Sequence, residues 1–81
     1  MPSIQYTETA LADLEKLPPR LAAQIMRKID RLQAGLHGDI KRLTNYDYDY
    51  RLRAGDFRIL FDVTGHKIIV QRIRNRKEAY D

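Results

Sequence analysis

The sequence predicts an α+β fold, β-α-α-β-β-β, in which an antiparallel sheet packs on a helical hairpin. Three observations carry that prediction. Apolar residues of the first half recur every three or four positions, whereas those of the second half alternate. Glycine-containing turns punctuate the second half where strands must reverse. Residues 1–81, with 43% hydrophobic and 32% charged residues, are expected to form one small globular domain.

The elements follow in chain order. "SIQYTE" (Ser3–Glu8) alternates weakly and suits an N-terminal strand. Thr7 can cap the helix that follows, with Glu8 in its first turn where the helix dipole favours a carboxylate. Leu11 and Leu14, with Ala10 and Leu17, form a narrow apolar stripe on "ETALADLEKL". Pro18-Pro19 ends that helix, because the residue before a proline is pushed out of the α region. Pro19 also suits the first turn of a second helix. Leu21, Ile25, Ile29, Leu32 and Leu36 then follow the 3.6-residue period. Gly35 and Gly38 close the helix and open a loop, "GLHGDIKRLTN".

Beyond the loop the period becomes two. Tyr46, Tyr48, Tyr50, Leu52 and Ala54 share one face, and the three tyrosines are read as core. Asp47, Asp49, Arg51 and Arg53 share the other face. Gly55-Asp56 reverses the chain, after which Phe57, Ile59, Phe61 and Val63 point one way and Arg58, Leu60 and Asp62 the other. Thr64-Gly65-His66 makes a second turn before a third strand, "KIIVQRI". The tail "RNRKEAYD" is expected to form one closing helical turn.

Composition excludes several functions. Without cysteine there is neither a disulfide framework nor a thiolate metal site, and no residue set has metal-ligand spacing, so no metal or cofactor is expected. "MPSIQYTETA" lacks the charged and apolar regions of a secretory signal, and no apolar run is long enough for a bilayer. A cytoplasmic protein without membrane association is expected. The net charge of +4 lies wholly in the second half. Residues 1–40 balance five Lys/Arg against five Asp/Glu, whereas residues 41–81 set ten against six. That asymmetry suits a polyanionic partner.

The charge has a particular placement. In "YRLRAGDFRILF" (Tyr50–Phe61) the outward partner of the alternation is repeatedly an arginine, on both sides of a tight turn. If the apolar face packs on the helices, Arg51, Arg53 and Arg58 project together, on strands about 4.8 Å apart. Their guanidinium groups would then surround a single phosphate. The competing reading pairs these arginines with Asp47, Asp49 and Asp62 in cross-strand ladders.

"YRLRAGDFRILFDV" (Tyr50–Val63) and "RIRNRKEAY" (Arg72–Tyr80), with the helix start "ALADLEKLP", resemble the RelE/ParE superfamily of toxins from type II toxin–antitoxin modules. The likeness covers essentially the whole chain and implies the RelE-like fold. RelE-like members cut mRNA on the ribosome, whereas ParE-like members inhibit DNA gyrase. The resemblance implies RNA cleavage without metal, by attack of a 2′-hydroxyl on the adjacent phosphate. That step needs a base, positive charge for the phosphorane and an acid for the leaving 5′-oxygen.

Carried over, Arg51 and Arg53 match two strand positions that are lysines in some members. Arg58 matches the arginine after the turn, and Tyr80 the terminal tyrosine. Arg76 is the first choice for the C-terminal arginine, although a gap-free count back from Tyr80 selects Arg74. Arg72, Arg74 and Lys77 are read as contacts to the RNA backbone. Two departures stand out. Arginine is effectively never deprotonated, so Arg51 and Arg53 can clamp phosphate but are poor bases. Asn75 stands where several relatives place a histidine, while His37 and His66 are read as solvated turn residues. The implied partners are a cognate antitoxin, mRNA and the ribosomal A site, in a toxin–antitoxin hetero-oligomer that binds operator DNA through the antitoxin. The alternatives are a ParE-like gyrase inhibitor and an inactive module that binds antitoxin or nucleic acid.

Overall fold

A computed structural model describes residues 2–36, 38–44 and 46–78. Strand β1 (Ser3–Tyr6) leads into helix α1 (Glu8–Glu15), helix α2 (Pro19–Asp30) and a 3₁₀ turn (Arg31–Ala34). Strands β2 (Ile40–Arg42), β3 (Tyr50–Ala54), β4 (Phe57–Thr64) and β5 (Lys67–Asn75) complete the order. Two helices thus cover one face of a five-stranded sheet ordered β1-β5-β4-β3-β2, the α+β arrangement the periodicities predict. The sheet is mixed. β1 runs parallel to β5, and the remaining neighbours are antiparallel.

The local causes are those the sequence suggests. Thr7 Oγ1 accepts the Ala10 N–H (3.0 Å) and donates to the Gln71 carbonyl (3.1 Å), so the cap of α1 is also tied to β5. Pro19 opens α2, and the Pro18 carbonyl accepts the Ala22 N–H. Ala10 and Leu14 of α1 meet Ile25, Ile29 and Leu32, and all five are buried against Leu52, Ile59, Phe61, Ile68, Val70 and Ile73. Each large side chain fully removed from water contributes about 1.5–3 kcal/mol. Leu11 and Leu36, read as parts of the two stripes, are exposed instead. Leu36 leaves its stripe because the helix tightens to a 3₁₀ turn and ends at Gly35, whose φ is +133°.

Two expectations for the second half are corrected. The segment read as loop contains β2, which is too short to show a period and pairs Ile40, Lys41 and Arg42 with Leu52, Arg51 and Tyr50. The strand read from Tyr46 begins only at Tyr50. The Leu43 N–H still donates to the Asp49 carbonyl (2.8 Å) in the β2–β3 register, but the Asp49 N–H is diverted to Asp62 Oδ1 (2.8 Å), and the regular ladder stops there. Tyr46 and Tyr48 therefore do not join the core. Tyr50 does, stacking on its cross-strand partner Phe61 with centroids 5.4 Å apart.

Strand β5 carries the feature that shapes the opposite face. Its register with β4 breaks between Leu60 and Phe61, where Arg72 pairs with Leu60 but Val70 pairs with Phe61. Gln71 is the extra residue of this β-bulge. Ile68 and Val70 point to the helices before it, and Ile73 does so after it. One inserted residue flips the alternation, sending Arg72 and Arg74 to the outward face.

Candidate nucleic-acid interface

The outward face is a grid of two adjacent rows. One row runs Lys41–Arg51–Leu60–Arg72 across β2, β3, β4 and β5. The next runs Arg53–Arg58–Arg74 across β3, β4 and β5. Strands are about 4.8 Å apart, so three arginines stand side by side in one row. Like charges directly opposite one another are destabilising unless an anion lies between them. Arg51, Arg53 and Arg58 share the face as the alternation predicts, and Arg74 joins them. Leu60 lies at the centre, 0% exposed although it faces away from the helices. Its neighbours in the row, Arg51 and Arg72, carry long aliphatic stems of the kind that lie along apolar surface.

The three predicted arginines differ in setting. Arg58 is 2% exposed, and its Nη1 donates to the Gly55 (2.9 Å) and Phe57 (3.1 Å) carbonyls of its own hairpin. The positive φ of Gly55 (+60°) forms the turn that presents these carbonyls. Arg51 is 9% exposed and donates from Nη1 to Asp39 Oδ1 (3.3 Å). Arg53 is 54% exposed, with Nη1 3.7 Å from Asp39 Oδ2. One carboxylate, just before β2, thus spans both arginines. The acidic partner among the described ion pairs is Asp39, whereas Asp62 serves the Asp49 N–H and Gln71 Nε2. Sequence reasoning missed Asp39 because its place beside Arg53 depends on β2. Its backbone carbonyl accepts the Arg53 N–H there (2.9 Å).

The C-terminal arginines separate. Arg74 lies opposite Arg58 in the row; its Nη2 is 3.6 Å from Glu78, and its Nε is buried with no hydrogen-bond partner among the described residues. Arg76 turns to the β3–β4 hairpin tip. Its N–H donates to the Asp56 carbonyl (2.7 Å), and its guanidinium is 3.8 Å from the Asp56 carboxylate. Geometry places Arg74, not the first-choice Arg76, within the row. Lys77 and Glu78 continue the closing turn that the tail composition suggests, and Lys77 is exposed. Tyr80 and His37 lie outside the described residues.

Arg72 is occupied. Its Nε and Nη2 donate to the two oxygens of Asp13 on α1 (2.9 and 3.2 Å), and Asp13 Oδ2 also accepts the Ile73 N–H (3.0 Å). Burial alone would raise the Asp13 pKa, but these hydrogen bonds and the charges of Arg72 and Lys16 together hold it below the usual carboxylate range. The Asp13 hydrogen bond raises the Arg72 pKa, against burial that lowers it, with a smaller contribution from a hydrogen bond to Tyr48. The paired-donor edge of Arg72, expected to contact the RNA backbone, is filled by Asp13. Only the fold brings α1 against the β5 edge beyond the end of β1, so no sequence signal pointed to Asp13.

Two clefts flank the interface. A groove of about 490 Å³ lies between α2 and the β3–β4 hairpin, with Leu21, Ile25 and Phe57 on its walls and Arg27, Lys28 and Arg31 at its rim. A smaller one of about 300 Å³ lies beside Asp13, Arg72 and Arg74. Among the described residues, no group of three or more His, Asp or Glu side chains is placed to hold a metal ion. No helix among them is long and apolar enough to cross a membrane.

Comparison with known proteins gives a consistent set of relatives. The family model described as ParE toxin of the type II toxin–antitoxin system parDE matches residues 4–80. Toxin RelE3 of Methanocaldococcus jannaschii is 32% identical over an 83-position alignment that covers 96% of this chain and 94% of that protein. Among solved structures, the RelB–RelE antitoxin–toxin complex from Methanococcus jannaschii superposes with a TM-score of 0.74 at 31% identity, covering 90% and 91% of the two chains. The toxin–antitoxin complex RelBE2 from Mycobacterium tuberculosis gives 0.77 at 26% identity, covering 94% of this chain and all of that one.

Proposed function

Because the chain belongs to the RelE/ParE family of type II toxin–antitoxin toxins, we propose that it cuts mRNA in the ribosomal A site and so stops translation. The observation that carries this reading is the outward row Arg53–Arg58–Arg74. Three fixed cations on adjacent strands suit a charge that appears only in the transition state. Attack of a ribose 2′-oxygen on the neighbouring phosphate forms a phosphorane with an additional negative charge. Expulsion of the 5′-oxygen then leaves a 2′,3′-cyclic phosphate and a 5′-hydroxyl. Arg58 and Arg74 stabilise the phosphorane, since preorganised donors need no reorganisation as the charge develops. Arg51 and Arg53, oriented by Asp39, hold the flanking backbone. Lys77 and Arg76 contact RNA from the tail. Tyr80 is the titratable group for proton transfer, since none of the arginines can act as a base.

The antitoxin partner follows from the family and from the solved relatives, which are RelB–RelE complexes. An acidic, amphipathic antitoxin segment fits the groove beside α2, with its apolar side on Leu21 and Ile25 and its carboxylates toward Arg27, Lys28 and Arg31. In the assembled module, operator DNA is bound through the antitoxin.

The test is translation of a defined mRNA with the purified protein, with cleavage read by primer extension. Cleavage that requires the ribosome supports the reading, and equally fast cutting of bare RNA removes its ribosome dependence. The second reading is gyrase inhibition, favoured by the ParE family model that matches residues 4–80. Intact message together with a block of gyrase supercoiling at the same concentration would establish that reading instead.

A further inference from the structure

We propose that Asp13 is a positioning residue that withdraws Arg72 from anion binding and so sets the boundary of the arginine face. The proposal rests on the reading of that face as an RNA-backbone site. The bulge at Gln71 turns Arg72 outward, into the row with Leu60 and Arg51. A free arginine there would offer its paired Nε and Nη donors to a phosphate, the strongest recognition a guanidinium can make. Asp13 takes that edge, with contacts of 2.9 and 3.2 Å. It is anchored in place by the Ile73 N–H at 3.0 Å, a ladder donor left over because β1 ends at Tyr6.

The Asp13 side chain is 10% exposed, so solvent screens this pair only weakly. The consequence is a division of labour between the two rows. In the row Arg53–Arg58–Arg74 the described ion pairs are looser, 3.7 Å from Arg53 to Asp39 and 3.6 Å from Arg74 to Glu78, while at the β5 end of the other row the cation is neutralised from behind by α1.

The experiment measures binding of a fully 2′-O-methylated oligoribonucleotide across a range of salt. That probe has no 2′-hydroxyl to attack, so the outcome does not depend on whether the protein cuts mRNA, which the translation assay decides separately. Asp13→Asn keeps an acceptor for the Ile73 N–H while removing the charge that holds Arg72. It should bind several-fold tighter at about 50 mM salt, and its log–log salt slope should steepen by about 0.7, the value for one additional phosphate contact on a single strand. Glu15→Gln changes net charge equally on the exposed side of α1 and should leave the slope unchanged. The gain of Asp13→Asn should vanish when Arg72→Gln is added. A merely structural role would lower the melting temperature without steepening the slope. The proposal is overturned if Asp13→Asn matches Glu15→Gln, if its gain survives Arg72→Gln, or if Arg72→Gln alone flattens the slope by about 0.7. It is also overturned if neither wild type nor Asp13→Asn binds the probe.

Discussion

Arg58→Ala is the substitution on which the face can be tested most sharply, because the hairpin contacts of Arg58 and its proposed role at the phosphate are separable. It is 2% exposed and donates to the Gly55 and Phe57 carbonyls. A hydrogen bond to a charged group contributes about 1.5–3 kcal/mol net. Two share one nitrogen here, so their loss is taken as a single contribution of that size. Relief of repulsion from Arg53 and Arg74, directly opposite on either side, returns about 0.2–1 kcal/mol for each pair. The net loss centres on about 1 kcal/mol, and a domain of this size loses about 4–8 °C in melting temperature per kcal/mol.

The assay therefore pairs a thermal melt with ribosome-dependent cleavage, read well below the variant's melting temperature. Turnover should fall by about 10²–10³, the effect of removing one preorganised stabiliser. A melting temperature within about 2 °C of wild type would refute the hairpin-clasp argument. A loss of turnover below tenfold in protein that is still folded would refute Arg58 as the phosphate stabiliser.

Arg74→Ala should reduce cleavage at least tenfold more than Arg76→Ala, because Arg74 stands in the row while Arg76 pairs with Asp56; equal losses in single-turnover assays would contradict that placement. Leu60→Ala should cost about 2–5 kcal/mol in urea unfolding, as a fully buried leucine does, although Leu60 lies on the outward face. Asp39→Asn should cost less than about 1 kcal/mol, since this carboxylate is more than half exposed, and a larger loss in the same assay would make it a structural anchor. Acid should act through Asp13. Its folded pKa is depressed, so its contribution is complete above the ordinary carboxylate pKa of about 4 and is lost as pH falls through the folded value. Below about pH 4 the wild-type melting temperature should therefore fall more steeply than that of Asp13→Asn.

Much of this molecule is legible without its structure. Local chemistry suffices for the cap at Thr7, the break at Pro18-Pro19, the stripe from Leu21 to Leu32 and the turn at Gly55, because each depends on residues within a few positions. The grouping of Arg51, Arg53 and Arg58 on one face follows equally from the period of two. The rest depends on long-range pairing. β2 exists because β3 offers it a ladder, and that same ladder brings Asp39 to Arg51 and Arg53. Tyr46 and Tyr48 read as strand, yet the Asp62 carboxylate claims the Asp49 N–H that a longer strand would use. In "KIIVQRIRN" a strict alternation puts Arg72 and Arg74 on the side of Ile68 and Val70, among the core residues. A single bulged residue, Gln71, with its carbonyl tied to Thr7, reverses that assignment. Sequence periodicity tells which residues share a face only while the register is unbroken. Where the register shifts is decided by partners some sixty residues away, and here that shift brings Arg74 into the arginine row and turns Arg72 toward Asp13.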